Sequence, residues 1–140
     1  FYKGSYLQQL KNAIHTAVKD RVIFTGGVSQ TILPQLYQEA DILINPSLSE
    51  AFGMSLIEAM ATETPVIGAR VGGMQDVISN GQTGLFFESN NASDLAKAIL
   101  HLLNDENLRT SMGKAGRERV IEYFSWEKIA QQLEQHYQKI

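Results

Sequence analysis

Four short apolar runs alternate along the chain with longer stretches of helical periodicity, and this alternation restricts the fold more than any other feature. Val22 to Thr25, Ile42 to Asn45, Val66 to Ala69 and Gly84 to Phe87 are short and mostly apolar, with branched or aromatic residues. Each reads as a strand buried on both faces. Helical patterns separate them, so the expected class is α/β, a parallel sheet covered by helices. Leu7, Leu10, Ile14 and Val18 repeat at helical spacing before the first run. After Phe87 only helices are expected. Asn91 and Asp94 form a capping pair for a helix with Leu95, Ile99, Leu102 and Leu103 on one face. A second helix near Asn107 to Tyr123 presents Leu108, Met112, Ala115 and Val120. A third, Trp126 to Lys139, turns Ile129, Leu133 and Tyr137 inward and is anchored by Trp126. Gly26-Gly27, Gly72-Gly73 and Asn80-Gly81 punctuate turns.

At 140 residues, the chain makes one domain that buries about two-thirds of its unfolded surface. A hydrophobic fraction of 44%, charged residues at 19% and a net charge of −3 predict a soluble globular protein without the basic excess that nucleic-acid binding relies on. No apolar run approaches the ~18 residues of a transmembrane helix. With no cysteine, disulfides and thiolate metal sites are excluded. A reducing, cytoplasmic setting fits this composition. No signal peptide is visible. His15, His101 and His136 show no metal-ligand spacing, and no serine, histidine and acid combine as a triad. The expectation is a site that holds no metal and needs no cofactor.

The strand candidate Ile42 to Asn45 leads through Pro46-Ser47 into Glu50-Ala51-Phe52-Gly53-Met54-Ser55-Leu56-Ile57-Glu58, and a helix is expected from Ser55 to Glu63. In open parallel sheets, ligands settle beyond the carboxyl ends of the strands, where unpaired helix amides face outward. Phe52, Gly53 and Met54 would offer such amides to an anionic or hydroxyl-rich group, with Gly53 permitting close approach. Glu50 precedes the helix and Glu58 lies within it. Two carboxylates spaced along a phosphate-sized crevice suit a ligand with two separate diols, such as a nucleotide-sugar. Glu50 is also open to a plainer reading, an acid that caps the helix and complements its dipole. Ile57, Met60 and Ala61 place Glu58 at the edge of an apolar face, bordering the crevice. Gly72-Gly73 either lines the crevice or serves as a turn.

Pro46-Ser47, Glu50-Ala51-Phe52-Gly53, Glu58-Ala59-Met60, Pro65-Val66-Ile67, Val71-Gly72-Gly73, Asn80-Gly81-Gln82-Thr83-Gly84-Leu85 and Phe124-Ser125-Trp126 together resemble the carboxyl-terminal half of the family 4 retaining glycosyltransferases. The likeness extends from about Leu7 to Tyr137, in order. It implies a Rossmann-like parallel sheet with helices on both faces, the second half of a B-type glycosyltransferase fold. By the resemblance, residues 1–140 bind a nucleoside diphosphate sugar as donor; with no aspartate-rich pair at a strand end, and helix amides able to offset the diphosphate charge, activity is expected to need no divalent metal. An acceptor domain, this domain's first strand and an Arg/Lys pair that clamps the diphosphate would lie upstream, so a fragment is expected.

The resemblance also implies roles. Glu50 would hold hydroxyls of the transferred hexose as the catalytic residue. Phe52, Gly53 and Met54 would give amides to that sugar, Ser55 would lie beside the diphosphate, and Glu58 would accept hydrogen bonds from the ribose. The loop Gly26 to Ser29 would border the base, read by the backbone of Val28, although a simple turn explains it as well. Relatives of this kind can rest on membranes near Lys114 to Glu122, a contact this sequence does not require. Thr62-Glu63-Thr64 stands where many such relatives have glycine, so a left-handed cap at Glu63 would be more costly here. Two other functions share the ligand logic. A nucleotide-sugar epimerase of the same fold would need proton-transfer groups, and a noncatalytic module would bind sugar-nucleotides or protein partners.

Overall fold

The computed structural model describes residues 3–138. Three strands, β1 (Leu43–Asn45), β2 (Val66–Ala69) and β3 (Gly84–Phe87), form a parallel sheet in the order β1-β2-β3. Leu43 pairs with Val66, and Val66 with Gly84. Helices α1 (Lys3–Ala13), α2 (Leu33–Glu39), α3 (Met54–Ala61), α4 (Met74–Val77), α5 (Ala92–Leu103), α6 (Glu106–Arg119) and α7 (Trp126–Tyr137) complete the chain. A 3-10 turn lies at Thr16–Arg21 and a π turn at Val120–Phe124.

All four residues of β2 are buried, and their alternation divides the interior in two, because successive strand side chains point to opposite faces. Val66 joins Leu56 and Met60 of α3, Met74 and Val77 of α4, and Val120. Ile67 and Ala69 join Phe87, Leu102 of α5 and Met112 of α6. Helices therefore cover both faces, as the alternating sequence predicts. The capping pair is only half as expected: Asn91 accepts the Asp94 amide (3.0 Å), while the Asp94 carboxylate accepts the Glu88 amide (2.7 Å).

Several expectations are corrected. Val22 to Thr25 is not a strand: Val22 is extended, but no ladder forms, and Ile23 is 84% exposed. Branched residues favour extended backbone, yet a strand also needs a partner and a covered face. On α7 no residue is buried, with Trp126 82% and Tyr137 71% exposed, so Trp126 anchors nothing here and Leu133 and Tyr137 do not turn inward. Leu103 is likewise exposed, as are Leu7, Leu10 and Val18. Lys139, where the last helix is expected to end, lies outside the described residues. Among these residues no helix is long and apolar enough to cross a membrane.

Candidate functional site at the carboxyl edge of the sheet

Beyond β1 the chain runs through residues 46–53 into α3. Asn45, the last strand residue, fixes both sides of this junction, accepting the Ser47 amide (3.1 Å) and donating to Ser55 Oγ (3.2 Å). Gly53 is the residue before the helix, with φ of 97°, a left-handed conformation that side-chain-bearing residues adopt at a cost. No side chain caps α3. The Leu56 amide turns back to the Gly53 carbonyl (3.0 Å), and the preceding amides stand at the positive end of the helix dipole.

The loop is braced from two directions. Gly72 and Gly73 lie so close to it that a Cβ on either would collide with the carbonyl of Glu50 or Ala51, and the Gly73 amide donates to the Glu50 carbonyl (3.1 Å). The glycine pair thus holds the loop, and Gly73 has no amide to spare for a ligand. On the other side, the Phe52 ring meets Phe124 of the π turn edge to face, centroids 5.8 Å apart. Arg119 fixes that turn to α4 by donating to the carbonyls of Asp76 and Val77 (2.8 Å each), its guanidinium lying over Tyr123 and Phe124.

The half-buried Glu50 does not cap α3: its Oε1 accepts only the Phe52 amide, at 3.4 Å, within its own loop. Met54 is exposed at the helix start, and Ser55 is half-buried with its oxygen engaged by Asn45. Glu58, the fifth residue of α3, lies about 6 Å along the axis from Met54 at 1.5 Å rise per residue. Its Oε2 accepts from the Tyr37 hydroxyl of α2 (3.0 Å). Burial, then the hydrogen bond to Glu58 and its negative charge, push the Tyr37 phenol up to about 12. A cleft of about 450 Å³ opens between α2 and α3, lined in part by Gln30, Pro34, Tyr37, Glu58 and Thr62. Val28 is half-buried in the loop before α2, and Gln30, two residues on, brings that loop to the Glu58 cleft. The carboxylates thus belong to two zones joined by α3, one at its amino terminus and one along its flank.

Sequence reasoning missed Asn45, Tyr37 and Phe124. A polar residue closing an apolar strand was a visible signal for Asn45. Tyr37 and Phe124 act on the site through contacts with Glu58 and Phe52, 21 and 72 residues away, which no local pattern announces.

Comparison with known proteins identifies the family and the fold. Over 131 residues, 94% of the chain, it is 41% identical to N-acetyl-alpha-D-glucosaminyl L-malate synthase of Bacillus anthracis, covering 33% of that protein. It is 33% identical over 138 residues to the GDP-mannose-dependent alpha-(1-6)-phosphatidylinositol monomannoside mannosyltransferase of Mycobacterium tuberculosis, spanning 93% of this chain and 36% of that one. The chain thus spans about a third of the length of these relatives. Sucrose-phosphate synthase from Thermosynechococcus elongatus superposes with a TM-score of 0.86 at 39% identity, over 95% of this chain and 33% of its own. Anabaena HepE in complex with UDP-glucose shares the fold at a TM-score of 0.90 and 24% identity, over 100% of this chain and 38% of its own. The Rossmann-like α/β sheet is that of the B-type glycosyltransferases. The family model of the glycosyl transferases group 1 matches residues 3–119, from α1 to the end of α6, including the loop of residues 46–53 and the glycine pair against it, and the chain belongs to that family.

Proposed function

We propose that this chain is the donor-binding domain of a retaining glycosyltransferase, which moves a hexose from a nucleoside diphosphate sugar to a hydroxyl acceptor bound by another domain of the same protein. The observation that carries this reading is the braced loop at the uncapped start of α3, with one glutamate on each side of the helix terminus. HepE, which has the same fold, is known with UDP-glucose bound, and the Mycobacterium tuberculosis relative is named as GDP-mannose-dependent.

In this reading Glu50 orients the sugar, aided by the backbone at Phe52, Gly53 and Met54. The amides at the start of α3, with Ser55 beside them, stabilise the departing diphosphate, and Glu58 accepts the ribose hydroxyls. The backbone of Val28 borders the base. Fixed donors aimed at developing charge are the largest catalytic contribution open to such a site, with acceptor positioning second. Backbone amides can hold a diphosphate, so the reading assigns no step to a divalent cation.

The two glutamates should fail differently in the whole protein. Glu58→Gln should weaken free nucleotide and nucleotide-sugar together, roughly tenfold to a hundredfold, the equivalent of about 1.5 to 3 kcal/mol for a charged hydrogen bond. Glu50→Gln should leave free nucleotide binding nearly unchanged and lower turnover, because it touches only the transferred sugar. Calorimetry with nucleotide and steady-state transfer rates measure both. Equal effects on free nucleotide would refute the division of roles.

A further inference from the structure

We propose that Tyr37 is a positioning residue for nucleotide recognition, holding the Glu58 carboxylate in the orientation that receives the ribose diol. The inference rests on the reading of Glu58 given above and adds to it a residue from a different helix.

Tyr37 is fixed at its base. Its ring packs on the core formed around Leu56, Met60 and Val66. Its carbonyl accepts from Thr64 Oγ1 (2.6 Å) and from the Ala40 amide (3.1 Å). The hydroxyl then reaches Glu58 Oε2 at 3.0 Å, and both residues line the cleft between α2 and α3. Glu58 has no such support of its own. It is exposed on α3, and an exposed glutamate samples many rotamers whose loss on binding opposes affinity. The tyrosine removes part of that cost before the ligand arrives, which is how preorganisation raises affinity. An ionised carboxylate offers about four acceptor positions. Tyr37 occupies one, so those remaining suffice for two vicinal hydroxyls. A phenol is protonated throughout the neutral range, and burial and Glu58 push this one further up, to about 12, so Tyr37 remains a donor to Glu58.

The same hydrogen bond could serve only to tie α2 to α3, and the ligand's own hydroxyls separate the two roles. In the whole protein, calorimetry with UDP, GDP and ADP identifies the tightest nucleoside diphosphate, which is then compared with its 2′,3′-dideoxy counterpart. Tyr37→Phe should weaken the ribonucleotide about threefold to tenfold, as expected for one hydrogen bond, and leave the dideoxy compound unchanged. Equal weakening of both ligands overturns the proposal. If Glu58→Gln weakens the ribonucleotide and Tyr37→Phe does not, the proposal fails alone; a lower melting temperature in Tyr37→Phe then assigns the hydrogen bond to stability. If neither variant changes binding, or none of the three nucleotides binds, the reading of Glu58 fails and this inference with it.

Discussion

Glu63 shows a single residue overruled by its surroundings. It adopts φ of 64°, the left-handed conformation that costs a residue with a side chain roughly 1 to 2 kcal/mol. The turn nevertheless closes α3, with the amides of Glu63 and Thr64 returning to the carbonyls of Met60 and Ala59 (3.0 Å each). Support comes from α6, where Gly113 lets the Glu63 carbonyl approach and Arg117 donates to the Ala61 carbonyl. Glu63→Gly should therefore raise stability by about 0.5 to 1 kcal/mol, since the strain relieved exceeds both the exposed pair with Arg117 and the extra freedom of the unfolded glycine. A denaturant midpoint that moves up at constant slope confirms this, and one that moves down shows that Arg117 matters more than the backbone. The absence of glycine made the cost legible in Thr62-Glu63-Thr64. The compensating residues were not legible, because they lie about 50 positions further along.

Among the elements, β2 and β3 lie at their expected bounds, and α3 lies close to its own. Its apolar positions place it at Met54–Ala61, close to the expected Ser55 to Glu63, because Leu56, Ile57, Ala59 and Met60 pack on one side while Glu58 remains outside. The link from α2 was invisible, since a tyrosine on a short helix reads as an ordinary core residue until its partner is known. That link has a consequence for alkaline stability. The folded Tyr37 phenol ionises near 12, above its ordinary value of 10, so the fold favours the neutral form. Its contribution is fully present below about pH 10 and is lost as pH rises through 12. Between about pH 9 and pH 12 the wild-type chain should lose more stability than Tyr37→Phe, which lacks this phenol. Urea unfolding at both pH values tests this, and parallel losses would show that neither burial nor Glu58 holds the Tyr37 phenol up in solution.

Across the whole molecule, hydrophobic patterning identified faces better than it identified what covers them. Met112 and Trp126 both sit at apolar helical positions, but Met112 is 1% exposed and Trp126 lies almost wholly in solvent. Met112→Ala should cost about 2 to 5 kcal/mol by opening a cavity. Trp126→Ala should stay within about 0.5 kcal/mol of wild type, and chemical denaturation of the two variants checks the contrast. The same distinction explains Val22 to Thr25, whose composition suits a strand while its edge lacks a neighbour. The π turn at Val120–Phe124 continues α6 directly and closes its hydrogen bonds over five residues where an α-helix spans four. In the language of insertions and deletions, it stores one residue more than a regular helix needs. Losing a residue between Val120 and Phe124, with return to α-helical winding, would leave Phe124 on the side of Phe52 and α7 close to its present bearing. The same loss inside α6, where no extra residue is stored, would turn everything after it by about 100°, so the two deletions differ although they shorten the chain equally.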